Sequence, residues 1–352
     1  MRQLGTAQGA VDDADRHEPG AEVAICDGHR HGAGAEVAIR IEGLSKRFGQ
    51  VKALDGLSLS VPTGKVCGFI GPNGAGKTTT MRILLGLLPR DAGTVRILGE
   101  DVVFGKELGV RSRMAYLPEN PVFPEKHTGL EVMDLVAGLY RLDPRTARKR
   151  AQMLLGEFHL EKASRRSVGT YSRGMKQRLG LAACFLPEPE VMILDEPVSV
   201  LDPEGRVEVF DILTRLKGKS TVLFSSHILE DVERVSDTLV MIKGGRKVAE
   251  GPMEELLSRF AADRLKVRFR PDHVARGKDV LAGFPWVERV SDGAPPGTVL
   301  VDVRPAMMDE ALQETAFRLA GEGLRVMEYS RVRTDLETVF LRLTGGQPPT
   351  SR

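Results

Sequence analysis

The sequence predicts an α/β fold in which a mixed, largely parallel sheet is flanked by an antiparallel β-subdomain and an α-helical subdomain, with a small α+β accessory unit appended at the C-terminal end. Three observations point there. From Val37 to about Phe260, short apolar runs alternate with longer stretches of helical periodicity. Inside that stretch Val66-Cys67-Gly68-Phe69-Ile70, Val191-Met192-Ile193-Leu194 and Thr221-Val222-Leu223-Phe224 are almost wholly apolar, as strands covered on both faces must be. After residue 262 the alternation changes to strand 264–270, helix 273–282, strands 286–291 and 298–303, helix 306–321, strand 325–330 and helix 334–344.

A chain of 352 residues exceeds what one core usually organises, so a division is expected. Residues 1–36 are rich in Gly, Ala, Asp and His without sustained apolar periodicity and read as a disordered extension. His17, Cys26, His29 and His31 lie within it at spacings that match no metal motif, which favours a solvated tail. Residues 37–260 form the main domain, with helices at 77–87, 129–141, 144–158, 173–186, 204–216 and 228–234. Strands of mixed hydrophobicity at 38–42, 56–61 and 93–97 give its smaller antiparallel sheet. Residues 262–345 form the accessory unit, and Gly345 to Arg352 should fray.

Bulk properties exclude several classes. A formal charge of +2 supplies no broad field for nucleic acid, so none is expected as a partner. The three cysteines, Cys26, Cys67 and Cys184, are odd in number and widely spaced, which suits a reducing compartment rather than a disulfide framework. No run approaches the roughly 18 to 20 apolar residues of a membrane helix, and no signal peptide opens the chain, so a cytoplasmic location is expected.

The chemistry is concentrated in two strand ends. Gly71, Pro72, Asn73, Gly74, Ala75, Gly76, Lys77, Thr78 and Thr79 follow an apolar strand and open a helix, the context that the G-x-x-x-x-G-K-[ST] phosphate loop requires. Its glycines let consecutive N–H groups turn toward an anion, the helix adds its positive dipole end, Lys77 reaches the outer phosphates, and Thr78 offers a hydroxyl to Mg²⁺. Those features fit ATP. Val191 to Leu194 run into Asp195 and Glu196, two carboxylates at the strand end where open α/β sheets bind ligands. Asp195 is placed to hold Mg²⁺ and Glu196 to orient or deprotonate the attacking water.

Tyr171-Ser172-Arg173-Gly174-Met175-Lys176-Gln177-Arg178 precedes that strand, and Ser172 and Gly174 can begin a helix with free N–H groups, a second anion site. The segment resembles the signature of the ABC superfamily. That resemblance spans about residues 38 to 260 and implies an ATPase that works as a head-to-tail dimer, with Ser172 and Gly174 facing the γ-phosphate held by the other subunit. It further implies adenine stacking by Phe48, an interface loop at Leu201-Asp202, and a switch histidine at His227. Glu119 stands where most relatives have a Gln that touches Mg²⁺ and the attacking water. Arg173, Met175, Val198 and Val200 are further departures, with bulk at the valines. Tyr-Ser-x-Gly-Met, Leu-Pro-Glu-Asn and the end Asp335 to Leu341 look most like the ATPase subunits of ABC-2 type exporters. The resemblance therefore implies a separate transmembrane permease, a second copy of this chain, and a peripheral place on the cytoplasmic face of the membrane. Two alternatives remain open at this point: a soluble ABC ATPase acting on nucleic acid or the ribosome, and an inactive regulatory protein on the same fold.

Overall fold

The computed structural model describes residues 37–106, 109–260, 263–304, 306–332 and 335–344. The N-terminal extension and the chain end after residue 344 lie outside the described residues. Strands β1 (Val37–Phe48) and β2 (Val51–Pro62) form an antiparallel hairpin, and β3 (Val66–Ile70) leads into helix α1 (Lys77–Leu84). β4 (Ala92–Ile97) pairs with β1, and β5 (Glu100–Asp101) closes that four-stranded sheet in the order β2-β1-β4-β5. β6 (Met114–Leu117) then precedes a helical region of α2 (Gly129–Leu139), α3 (Pro144–Glu157) and α4 (Arg173–Phe185).

The helices start where their caps dictate. At α2, Glu131 N–H donates to Thr128 Oγ1 at 3.2 Å and Thr128 N–H donates back to the Glu131 carboxylate at 2.7 Å, a reciprocal cap. Asp143 caps α3 by accepting from Thr146 N–H at 2.8 Å, with Pro144 following at a position where its missing N–H costs nothing.

The chain continues through β7 (Val191–Leu194), α5 (Pro203–Arg215), β8 (Thr221–Ser225), α6 (Leu229–Val235), β9 (Thr238–Lys243), β10 (Arg246–Pro252) and α7 (Met253–Arg259). The central sheet is six-stranded, in the order β10-β9-β3-β8-β7-β6, parallel except for the β9–β10 hairpin. Alternate residues divide its two faces. Val66, Ile70, Met192, Leu194, Val222 and Phe224 pack with the helices α2 to α6, whereas Cys67, Phe69, Val191, Ile193 and Leu223 pack with α1 and the antiparallel sheet. At Gly68 a Cβ would fall 2.3 Å from Val232 Cγ1, so glycine is what lets α6 lie directly on β3.

Beyond the main domain come β11 (Arg264–Phe269), α8 (Val274–Ala282), β12 (Val287–Gly293), β13 (Thr298–Val303), α9 (Met308–Gly321), β14 (Val326–Arg331) and α10 (Leu336–Thr344). The strands form an antiparallel sheet in the order β12-β13-β11-β14, so β13 separates β11 from β12 and the unit is a split βαβ repeated twice. Leu265, Val267 and Phe269 point into a core with Leu281, Trp286 and Leu319, while Arg264, Lys266 and Arg268 occupy the opposite face. Lys266 and Arg268 pair there with Glu328, and Arg264 with Asp302. Helix α10 leaves this unit and returns to the main domain: Leu336 and Val339 are fully buried in that domain's core, and Leu336 N–H donates to Glu233 on α6 at 2.8 Å.

The sequence reading names no strand at β6, β9 or β10. β6 has only four residues, too few for a period to register. The β9–β10 hairpin had a local signal, an apolar run followed by Gly244-Gly245 with φ of 55° and 77°, the conformation a two-residue hairpin turn requires. Among the described residues, no helix is long and apolar enough to cross a membrane.

Candidate active site

The phosphate loop joins β3 to α1. Gly76 caps α1 at φ 107°, where a Cβ would meet Leu54 Cδ2 at 2.6 Å and the Ala53 carbonyl at 2.8 Å, so the loop backbone rests against β2. Gly245 N–H, from the β9–β10 turn packed on the same part of β2, donates to the Ala75 carbonyl at 3.0 Å. Lys77 begins α1, is 8% exposed, and donates to the Gly71 carbonyl at 2.7 Å and the Pro72 carbonyl at 3.4 Å. Burial holds its ammonium below the ordinary lysine value, and the nearby Glu196 and Asp195 carboxylates oppose that shift.

β7 delivers the two carboxylates. Asp195 is 3% exposed and its Oδ1 accepts from Ser225 Oγ at 2.7 Å. The same hydroxyl accepts from Glu196 N–H at 2.9 Å, so one serine at the end of β8 fixes both residues. Glu196 has φ 51°, a left-handed backbone that costs a non-glycine residue about 1–2 kcal/mol. His227 Nδ1 lies 2.8 Å from Glu196 Oε2.

These groups surround one cavity of about 390 Å³, lined by Asn73, Gly74, Ala75, Gly76, Lys77, Thr78, Thr79, Glu119, Asp195, Glu196 and His227, together with Ala53 and Ser199. Gly71 and Pro72 take part through the carbonyls that receive Lys77. Phe48, Ser172, Gly174 and Asp202 are not in the lining. Phe48 ends β1 with its ring half exposed and Lys46 Nζ 5.5 Å from the ring centre. Ser172 caps α4, accepting from Met175 N–H at 3.2 Å, and Asp202 caps α5, accepting from Gly205 N–H at 3.3 Å. Both caps are exposed to solvent. Val198 is buried in the core beside the helices, whereas Val200 is half-buried.

Residues 54–199 match the family described as ABC transporter. Over 308 residues the chain is 38% identical to the daunorubicin resistance ATP-binding protein DrrA3 of Streptomyces coeruleorubidus, covering 87% of this chain and 96% of that protein. The chain belongs to the ABC transporter ATP-binding proteins. A second relative, the Nod factor export ATP-binding protein I of Ralstonia nicotianae, is 36% identical over 311 residues, 87% of this chain and 94% of its own length. A solved structure of the ATP-binding subunit of an ABC transporter is 33% identical and superposes with a TM-score of 0.59 over 63% of this chain and 93% of its own. This ABC protein is thus an ATP-binding subunit and an ATPase, with an α+β unit added beyond the cassette.

Three residues at or behind the site are given no role by the motifs: Ala53 on β2, Ser225, and Gln177 within the signature segment. Ser225 carries a hydroxyl at the end of an otherwise apolar run. Gln177 is a polar side chain on the buried stripe of α4, in line with Leu181 and Cys184, and that mismatch was visible in the sequence.

Proposed function

We propose that the chain is the motor of an ABC exporter, in which two copies close head to tail on two ATP molecules and drive substrate through a separate transmembrane permease. The export sense rests on relatives named for daunorubicin resistance and Nod factor export. The observation that carries the ATPase assignment is the convergence of Lys77, Asp195, Glu196 and His227 on one cavity, with His227 Nδ1 2.8 Å from Glu196 Oε2.

The phosphate loop, Gly71 to Thr79, cradles the triphosphate through its N–H groups, and Lys77 offsets the charge of the outer phosphates. Residues 37–260 act as the catalytic domain, 262–345 as an accessory unit, and 1–36 as an extension. The donor set of Thr78, Asp195 and Glu119 is all oxygen, with Asp195 buried and its second oxygen held by Ser225, which fits a hard cation such as Mg²⁺. When bound, that ion would supply charge neutralisation at the β- and γ-phosphate oxygens. Glu196 takes the proton of the attacking water, and His227 fixes the carboxylate while its ring reaches toward the γ-phosphate. Phe48 offers a π-face to adenine.

Ser172, Gly174 and Asp202 complete the site from the second copy. The exposure of Ser172 and Asp202 outside the cavity supports that reading, because the N-terminal end of a helix suits an anion brought by another molecule. The permease would hold this chain at the cytoplasmic face of the membrane.

Glu196→Gln tests the assignment. It is expected to retain ATP affinity, to lose about 10²- to 10⁴-fold in turnover, and to accumulate as an ATP-bound dimer on size-exclusion chromatography. Unchanged turnover would remove Glu196 from the mechanism.

A further inference from the structure

Three residues hold the Glu196 backbone: its neighbour Ser199 in the same turn and, from two other elements, Ser225 and Gln177, to which the motifs assign no role. A left-handed Glu196, φ 51°, persists only where its surroundings hold it. Its N–H donates to Ser225 Oγ on β8 at 2.9 Å. Its carbonyl receives Ser199 N–H at 3.3 Å, Ser199 Oγ at 3.2 Å and the Gln177 side-chain amide of α4 at 3.4 Å, and that amide donates more closely to the Pro197 carbonyl at 3.0 Å. Gln177 is 0% exposed, yet its Oε1 has no hydrogen-bond partner among the described residues. A residue kept only for packing would not leave a buried oxygen orphaned, since leucine fills the same volume without that cost.

We infer that Gln177 is a positioning residue for Glu196, acting with Ser225, and that it ties the hydrolytic turn of each chain to that chain's own helix α4. The inference rests on the reading of Glu196 given above. α4 begins at Ser172, the end set against the partner's triphosphate, and Gln177 lies one to two turns further along the same helix. A shift of α4 on meeting the partner's nucleotide is therefore passed through the Gln177 amide to the carbonyls of Glu196 and Pro197. The aim of the Glu196 carboxylate at one ATP depends in this way on occupancy of the other.

The test is Gln177→Leu in the full chain. Because Glu196 acts only in the transition state, kcat is expected to fall about tenfold or more while KM stays near the wild-type value. The number of ATP sites per chain, titrated with a fluorescent nucleotide, should be unchanged; a role in folding alone would lower that number and leave kcat per site intact. Ser225→Ala is expected to lower kcat in the same manner and Ser225→Thr, which keeps the hydroxyl, to restore much of it. Gln177→Glu covers the case in which the leucine variant folds poorly. Its carboxyl can donate only when protonated, so its kcat relative to wild type should rise as pH falls, and a ratio independent of pH overturns the inference. In mixed dimers carrying one Glu196→Gln chain, Gln177→Leu should suppress the remaining hydrolysis when placed in the chain with intact Glu196 and spare it in the other; the reverse pattern overturns coupling within one chain. If Glu196→Gln is inactive but Gln177→Leu turns over at the wild-type kcat, the positioning role alone is wrong. If Glu196→Gln hydrolyses ATP normally, the reading of Glu196 fails first.

Discussion

The cassette and the C-terminal unit are built from the same materials, helices on a sheet with a buried aliphatic core, yet the cavity that gathers Lys77, Asp195, Glu196 and His227 lies in the cassette. Its strands β3, β7 and β8 are parallel, so Gly71, Asp195 and Ser226 emerge at one edge and their loops converge on a single cavity. In the C-terminal unit the strands are antiparallel, so successive loops leave from opposite edges. Its charges are also neutralised within the sheet, Lys266 and Arg268 by Glu328 and Arg264 by Asp302. Convergence of strand ends, rather than the number of charges, is what makes the chemistry possible here.

The sharpest challenge to that contrast is to damage one region and watch the other. Trp286 is 0% exposed, donates from Nε1 to Thr315 Oγ1 at 3.1 Å, and carries the Arg318 guanidinium 5.0 Å from its ring centre. Trp286→Ala is expected to destabilise the C-terminal unit by about 3–5 kcal/mol, read as loss of protection in hydrogen exchange over β11 to β14. ATP affinity should hold. A parallel loss of ATP binding would mean that the two regions share one energetic unit.

The reciprocal perturbation is Lys77→Ala. A charged donor buried at the phosphate loop contributes about 1.5–3 kcal/mol to an anionic ligand, so nucleotide affinity should fall roughly 10- to 100-fold. The melting temperature should change little or rise, because burial disfavours the ammonium in the folded state. Isothermal titration with ATP and a melting curve separate the two effects. Undiminished affinity would detach Lys77 from the triphosphate.

What the sequence discloses differs between the regions for a physical reason. Lys77, Thr78, Asp195 and Glu196 are legible because a phosphate loop and a strand-end carboxylate pair are local constructions, fixed by spacing along a few residues. Ser225 and Gln177 are not, because their roles exist only once β8 and α4 lie on either side of the turn after β7. The same holds for α10. Its amphipathic pattern is plain in Leu336, Val339 and Phe340, but nothing local states that this stripe returns to α6 rather than to the neighbouring α+β core. The C-terminal unit is the converse case: β11 and β13 show plain alternation, since one face of its sheet is covered and the other bears Arg264, Lys266 and Arg268.

The smallest expected effect lies where the two regions meet, on α6, which packs against α10 and follows His227. Asp231 sits in the first turn of α6, and its Oδ2 is buried without a hydrogen-bond partner among the described residues. Burial pushes its carboxyl above the ordinary value and Glu230 adds to the shift, while Arg206, Arg234 and His227 oppose it. With a folded value above the unfolded one, the group's stabilisation is complete below the unfolded value near about 3.9 and is lost as pH rises through the folded value. Asp231→Asn removes that dependence. The variant should melt slightly above wild type at neutral pH, and the gap should close as pH is lowered from the carboxyl's folded value to its unfolded one. A variant that melts at or below wild type at neutral pH would mean that Arg206 and Arg234 already compensate the charge, and that α6 is held by its contacts with Leu336 and Val339 rather than strained by its own carboxylate.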